Sequence, residues 1–194
     1  IDKKFLALPQ KKLGDRVMTE MLQSQIEVAS PPRTTMKEAG QHLARYRRVV
    51  GEAAGEHTLG IAAMGTFPLA FWPEQSVTPK ARYGAIMDDL QMIGYRNMLC
   101  GMHVHVEVPD VDTRVNLIMR LTPYLPLLLA FSTSSPFWQG HFSGLRGYRL
   151  AAYDELPRTG LPELFRTEAE YEEYVGALVG ARIIPDASYI WWAV

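Results

Sequence analysis

Residues Met102 to Val108 alternate without a break. Met102, Val104, Val106 and Val108 take one parity, and His103, His105 and Glu107 take the other. Side chains at i and i+2 share a face of an extended chain, so the pattern fits a strand with one apolar face and one polar face. The valine face can pack on helices. The other face presents two imidazoles and a carboxylate in a row, a donor set that accepts Mg, Mn or Zn. The same row reads as well as a solvent-facing strand with no chemistry. Neighbouring ligands on one strand rarely fill a coordination sphere, so the metal reading calls for a second strand. Gly101, lacking a side chain, would let a bulky ligand approach the strand's start.

A second strand with acids lies at Leu22 to Ala29, ended by Ser30-Pro31-Pro32. Gln23, Gln25 and Glu27 share one face, opposed by Leu22, Ile26 and Val28 over most of its length. Glu20 has the wrong parity and joins that face only if the chain bends near Leu22. Alone, this is an exposed polar face; paired with the histidine strand, it lines a cavity.

Further strands are expected at Thr58–Met64, Tyr148–Tyr153 and Ser188–Val194. Four helices alternate with the strands. Thr35-Met36-Lys37-Glu38 and Thr167-Glu168-Ala169-Glu170 have capping-box spacing, Thr78-Pro79 reads as a cap followed by proline at the first helical position, and Asp110 caps a helix with Val111, Val115 and Ile118 facing inward. Between Ser132 and Pro162 the chain is dense in turn formers, a feature often tied to function. The pattern indicates an α+β or α/β fold whose sheet keeps one face open to a site.

Composition narrows the function classes. Hydrophobic residues are 47% and charged residues 21%, the balance of a soluble globular domain. A formal charge of -1 gives no general pull toward nucleic acid or an anionic membrane. The single Cys100 excludes an intramolecular disulfide framework and a Cys-rich zinc module, and fits a reducing cytosol. Ile1 to Lys12 mixes charged and apolar residues, unlike a signal peptide. The most apolar run, Leu121 to Phe131, is short for a bilayer span and contains Pro123 and Pro126. A soluble, cytoplasmic protein is expected, without nucleic-acid or membrane partners. With no Gly-x-Gly-x-x-Gly or Gly-Lys-Thr loop, any nucleotide would be held through metals and scattered side chains.

Four segments, in order, resemble the landmarks of one family. They are Leu22-Gln23-Ser24-Gln25-Ile26-Glu27-Val28-Ala29, Cys100-Gly101-Met102-His103-Val104-His105-Val106-Glu107-Val108-Pro109-Asp110, Ser134-Ser135-Pro136-Phe137-Trp138-Gln139-Gly140 and Asp186-Ala187-Ser188-Tyr189-Ile190-Trp191-Trp192. The chain is similar to bacterial carboxylate–amine ligases of the type 2 glutamate–cysteine ligase family, a branch of the glutamine synthetase-like superfamily. The resemblance implies an α+β fold with a curved, mainly antiparallel sheet, the active site on its concave face and helices outside. It also implies ATP-dependent phosphorylation of a carboxylate, typically that of glutamate, and attack of an amine on the acyl phosphate. ATP, Mg or Mn, and small amino acid substrates are the ligands this implies.

By resemblance, Glu27 and His103 match metal-ligand positions, and Glu20 matches an acidic position where metal or amine substrate binds. His105 and Glu107 share the face of His103, and their roles carry over less firmly. Arg149, after the Gly-rich loop, is the first choice to meet a substrate carboxylate or phosphate, and Arg146 the second; each also reads as an inert surface arginine. The family's Glu-rich first strand does not precede Lys3-Lys4, and its Trp-Trp strand runs on past the point matching Ala193-Val194. Residues 1–194 are therefore expected to be a single ligase catalytic domain lacking an N-terminal acidic strand and a C-terminal portion. Strand edges and the aromatic terminus leave self-association as a homo-oligomer open. The rival readings are a metal-dependent hydrolase using the His-x-His-x-Glu strand and a non-catalytic binding relative.

Overall fold

The computed structural model describes residues 3–192, the side chains of Lys3, Val111 and Asp112 excepted. The chain divides into two compact units, residues 1–64 with 70–100, and residues 65–69 with 101–194. Both mix helices with small antiparallel sheets, an α+β composition.

The first unit is built on two helices and a hairpin. Helix α1 (Lys3–Leu13) precedes β1 (Val17–Thr19), which pairs antiparallel with β2 (Ile26–Val28) in the register Val17↔Val28, Met18↔Glu27, Thr19↔Ile26. Helix α2 (Met36–Glu56) starts where its capping box predicts, with the Thr35 hydroxyl accepting from Glu38 N at 3.3 Å. Its Tyr46, Val50, Ala53 and Ala54 fall at helical spacing and pack with Phe5, Leu6, Leu13 and Val17 in one core, with Ile26 and Val28 against it. Helices α3 (Ala81–Leu90) and α4 (Met92–Tyr95) follow, broken at Gln91, which has φ of 49°. The expected cap at Thr78 falls two residues early. The Thr78 hydroxyl instead donates to Glu20 O at 2.6 Å, and Lys80 precedes the helix.

The second unit contains α5 (Val111–Leu121), α6 (Leu125–Ser132), the hairpin β3 (Phe137–Trp138) and β4 (His141–Phe142), α7 (Tyr148–Tyr153) and α8 (Glu168–Gly180). Asp110 caps α5 as expected, accepting from Thr113 N at 2.8 Å and from its hydroxyl at 2.7 Å. Thr167 caps α8 by accepting from Glu170 N. The β3–β4 turn places Gln139 and Gly140 at φ of 48° and 80°, as a tight hairpin requires. Trp192 sits among Phe165, Tyr171 and Tyr174 with ring centroids 5.7 to 6.4 Å apart.

Several expectations are corrected. Tyr148–Tyr153 is helix, not strand. Of Leu22–Ala29 only Ile26–Val28 is strand, with Leu22 forming an isolated bridge to Val77. Ala187–Tyr189 is a turn of 3-10 helix capped by Asp186 in place of the start of a strand, and Ala193 and Val194 lie outside the described residues. Residues 58–64 and 102–108 pair with no strand among the described residues. Apart from half-buried Val108, their apolar side chains are exposed, Val104 at 60% and Val106 at 70%. An extended segment becomes a strand only when a neighbour takes its backbone N–H and C=O groups, and alternation alone supplies none.

The apolar run around Leu121 is longer than its two prolines imply. Helix continues from α5 through a 3-10 turn at Thr122–Tyr124 into α6, because Pro123 and Pro126 each stand in a first turn, where no N–H is needed. By length and composition alone Thr113–Ser132, 20 residues, could cross a bilayer, and Leu127, Leu128 and Phe131 are exposed.

Candidate active site

In the first unit the β1–β2 hairpin presents the acidic candidates. Glu27 faces solvent in β2, opposite Met18. Glu20 lies one residue past β1, where the chain bends at Met21, and its carboxylate accepts from Met21 N at 2.8 Å. The bend therefore falls near Leu22, as Glu20's parity requires. The two glutamines expected beside Glu27 serve the frame. Gln23 Nε2 donates to Val77 O at 3.0 Å, and Gln25 Nε2 donates to Leu99 O at 2.6 Å. These bonds fix the loop between the hairpin strands against residues 75–78 and 97–99.

In the second unit the histidine segment has no ladder among the described residues. His103, His105 and Glu107 are exposed, and the His103 and His105 ring centroids are 6.2 Å apart. Among the described residues no three His, Cys, Asp or Glu side chains converge on one point. The donor types suit Mg or Mn.

Arg149 is framed by several residues of this unit. It lies in α7, half-buried, with its backbone N–H donating to the Ser135 hydroxyl at 3.0 Å. Ser135 is 2% exposed, and its own N–H donates to Arg146 O at 3.0 Å. One serine thus ties both ends of the Arg146–Arg149 turn, and no side chain of the Gly147 cap position serves α7. Gly65 packs on the other side of the same serine. A methyl group on Gly65 would stand 3.0 Å from Ser135 Cβ and 3.2 Å from Arg149 Cβ. The guanidinium extends over the Tyr153 ring, 5.4 Å from its centroid. Burial raises the Tyr153 phenol above its ordinary pKa, opposed by the Arg149 charge and reinforced by Asp154.

At its far end the guanidinium lies against Gly101. A methyl group there would stand 2.6 Å from Arg149 Nη2 and 3.5 Å from His103 Nε2. The structure therefore brings Arg149 and His103 to one place, and the group that approaches Gly101 is the protein's own cation. Arg146 is exposed and enters this frame only through its carbonyl. Sequence reasoning missed Ser135, Gly65 and Tyr153. Ser135 was visible inside a motif, but nothing local showed that its hydroxyl would hold a helix fourteen residues on.

The family model for glutamate–cysteine ligase family 2 matches residues 3–194. Relatives named "Putative glutamate--cysteine ligase 2" include one from Bradyrhizobium sp. strain ORS 278, 50% identical over 93% of this chain and 44% of its own length. One from Bradyrhizobium diazoefficiens is 51% identical over 93% of this chain and 42% of its own length. One from Ectopseudomonas mendocina is 44% identical over 98% of this chain and 50% of its own length. The chain spans about half the length of these curated relatives. Matched from Lys3 to its last residue, the chain belongs to glutamate–cysteine ligase family 2.

Proposed function

We propose that this chain carries part of the active site of an ATP-dependent carboxylate–amine ligase of the glutamate–cysteine ligase type. The observation that supports it most is Arg149, its backbone N–H held by Ser135 and its guanidinium over the Tyr153 ring, set beside the His103 imidazole. In this reading Glu27 and His103 hold Mg or Mn, with Glu20, His105 and Glu107 as further acidic or imidazole donors. The ion would neutralise charge on the nucleotide phosphates.

The chain's own residues then have distinct tasks. Arg149 meets the carboxylate or the transferring phosphoryl group through paired N–H donors, and its half-burial strengthens that contact relative to a solvated side chain. Arg146 adds positive charge at the rim. Tyr153, a neutral phenol at neutral pH, supports the guanidinium through its ring. The acyl phosphate formed on the carboxylate is opened by the amine, with phosphate leaving. The finer fold belongs to the same proposal: a curved sheet of the glutamine synthetase type, with 1–194 as one catalytic domain. Small amino acids are the substrates and the cytoplasm the location.

The test is ADP release from the polypeptide expressed from its own gene, with Mg-ATP, glutamate and cysteine or another amine. Release that requires both carboxylate and amine, and is lost in Glu27→Gln and His103→Ala with an unchanged circular dichroism spectrum, is the expected result. Phosphate release without an amine would instead identify a hydrolase. Unaltered turnover in Glu27→Gln would reject the assignment.

A further inference from the structure

We infer that Gly101 is a positioning residue, whose missing side chain lets the Arg149 guanidinium lie beside His103 as a seat for an oxyanion. The inference rests on the ligase reading for its choice of ligand and goes beyond it in assigning Gly101 a task. Two glycines touch Arg149, and they differ in what they touch. Gly65 stands against Ser135 Cβ and Arg149 Cβ, atoms close to the backbone that cannot move away. A Cβ at Gly101 would stand 2.6 Å from Nη2 and 3.4 Å from Cζ, the far end of a long flexible side chain.

Gly101 is not among the glycines with positive φ, so an alanine there meets no backbone strain. Its methyl group would overlap the guanidinium, and the guanidinium would swing aside. The fold keeps its contacts while the cation leaves the imidazole. Ser135 holds the backbone root of Arg149 and the Tyr153 ring lies under its guanidinium, and the absent side chain of Gly101 leaves the room that Nη2 occupies. Beside the exposed His103, the guanidinium offers paired N–H donors to one planar or tetrahedral oxyanion, either a carboxylate or a phosphate.

The experiment uses the polypeptide expressed from its own gene, with 15N-labelled arginine, and titrates inorganic phosphate in one arm and glutamate in the other. The Nε–H signal of Arg149, assigned with Arg149→Lys, reports its position. Gly101→Ala should leave the melting temperature unchanged or slightly raised, move the Arg149 signal, and weaken binding of at least one anion about tenfold. Arg149→Ala should weaken the same anion by a similar factor, and the double variant no further. The arm that responds identifies the anion as phosphate or carboxylate. The inference is overturned if the Arg149 signal stays in place in Gly101→Ala, if the two losses add, or if the unaltered protein binds neither anion. These titrations do not use turnover, so a protein that binds the anion but releases no ADP defeats the ligase reading and leaves this one standing.

Discussion

Ser135→Ala should weaken the second unit more than its size implies. The side chain is 2% exposed, and its hydroxyl accepts the Arg149 N–H at 3.0 Å. Removing the oxygen strands a part-buried amide in the first turn of α7, where no cap side chain stands in. A buried donor left without an acceptor costs roughly 1–3 kcal/mol, and a lost helix cap costs about 1 kcal/mol. These describe the same bond, so about 2 kcal/mol is expected. For a chain of this size that lowers the melting temperature by roughly 4–8 °C. Ser134→Ala is the matched control. Its hydroxyl also accepts from a backbone amide, Gly65 N at 3.1 Å, but that amide donates to Ser134 O at 3.1 Å as well. The bond is shared, and its loss should cost under about 0.5 kcal/mol. Urea unfolding of both variants, compared at constant m-value, reads the difference directly. Equal midpoints for the two alanines would refute the reasoning that Ser135 fastens α7.

Three further outcomes follow from the packing. Gly65→Ala should lose about 1–3 kcal/mol by urea unfolding, because its methyl group meets Ser135 Cβ at 3.0 Å with no room to shift, whereas Gly101→Ala should lose nothing. Leu22→Ala, at a fully buried position in the first unit, should cost about 2–5 kcal/mol in the same assay. Tyr153 has a raised pKa in the folded state, chiefly through burial, so it holds its proton where the unfolded chain has lost it. Its contribution is intact below pH of about 10 and declines as pH rises from there through the folded value. Tyr153→Phe should therefore flatten the alkaline fall in stability, measured by unfolding between pH 8 and about 11; an unchanged slope would contradict the stated cause.

What could be read from the residues depended on how far away the partner stood. The caps at Thr35, Asp110 and Thr167 were legible because donor and acceptor lie three residues apart, and all three form. Thr78, expected as a cap because Pro79 follows it, does not cap the helix, since its hydroxyl donates to Glu20 O. Tyr148–Tyr153 alternates weakly enough to read as strand. Leu150, Ala151 and Ala152 favour helix, and Ser135 anchors its start from a distant loop. At Met102–Val108 the two imidazoles do neighbour each other, yet alternation could not supply a hydrogen-bonding neighbour. The site followed the same rule. His103 and Arg149 were nominated from motifs, while the contact of Arg149 with Gly101 joins positions 48 residues apart and has no local signature.

The most direct measurement concerns Glu27 and His103. Mn2+ added to the polypeptide expressed from its own gene should broaden the imidazole C–H signals of His103 at substoichiometric metal, because a paramagnetic ion acts on nuclei beside it. Glu27→Gln should weaken that broadening about tenfold or more in metal concentration. If His103 broadens equally in both proteins, or not at all while Mn2+ binds elsewhere, the carboxylate and the imidazole do not share an ion and the ligase site proposed here is wrong.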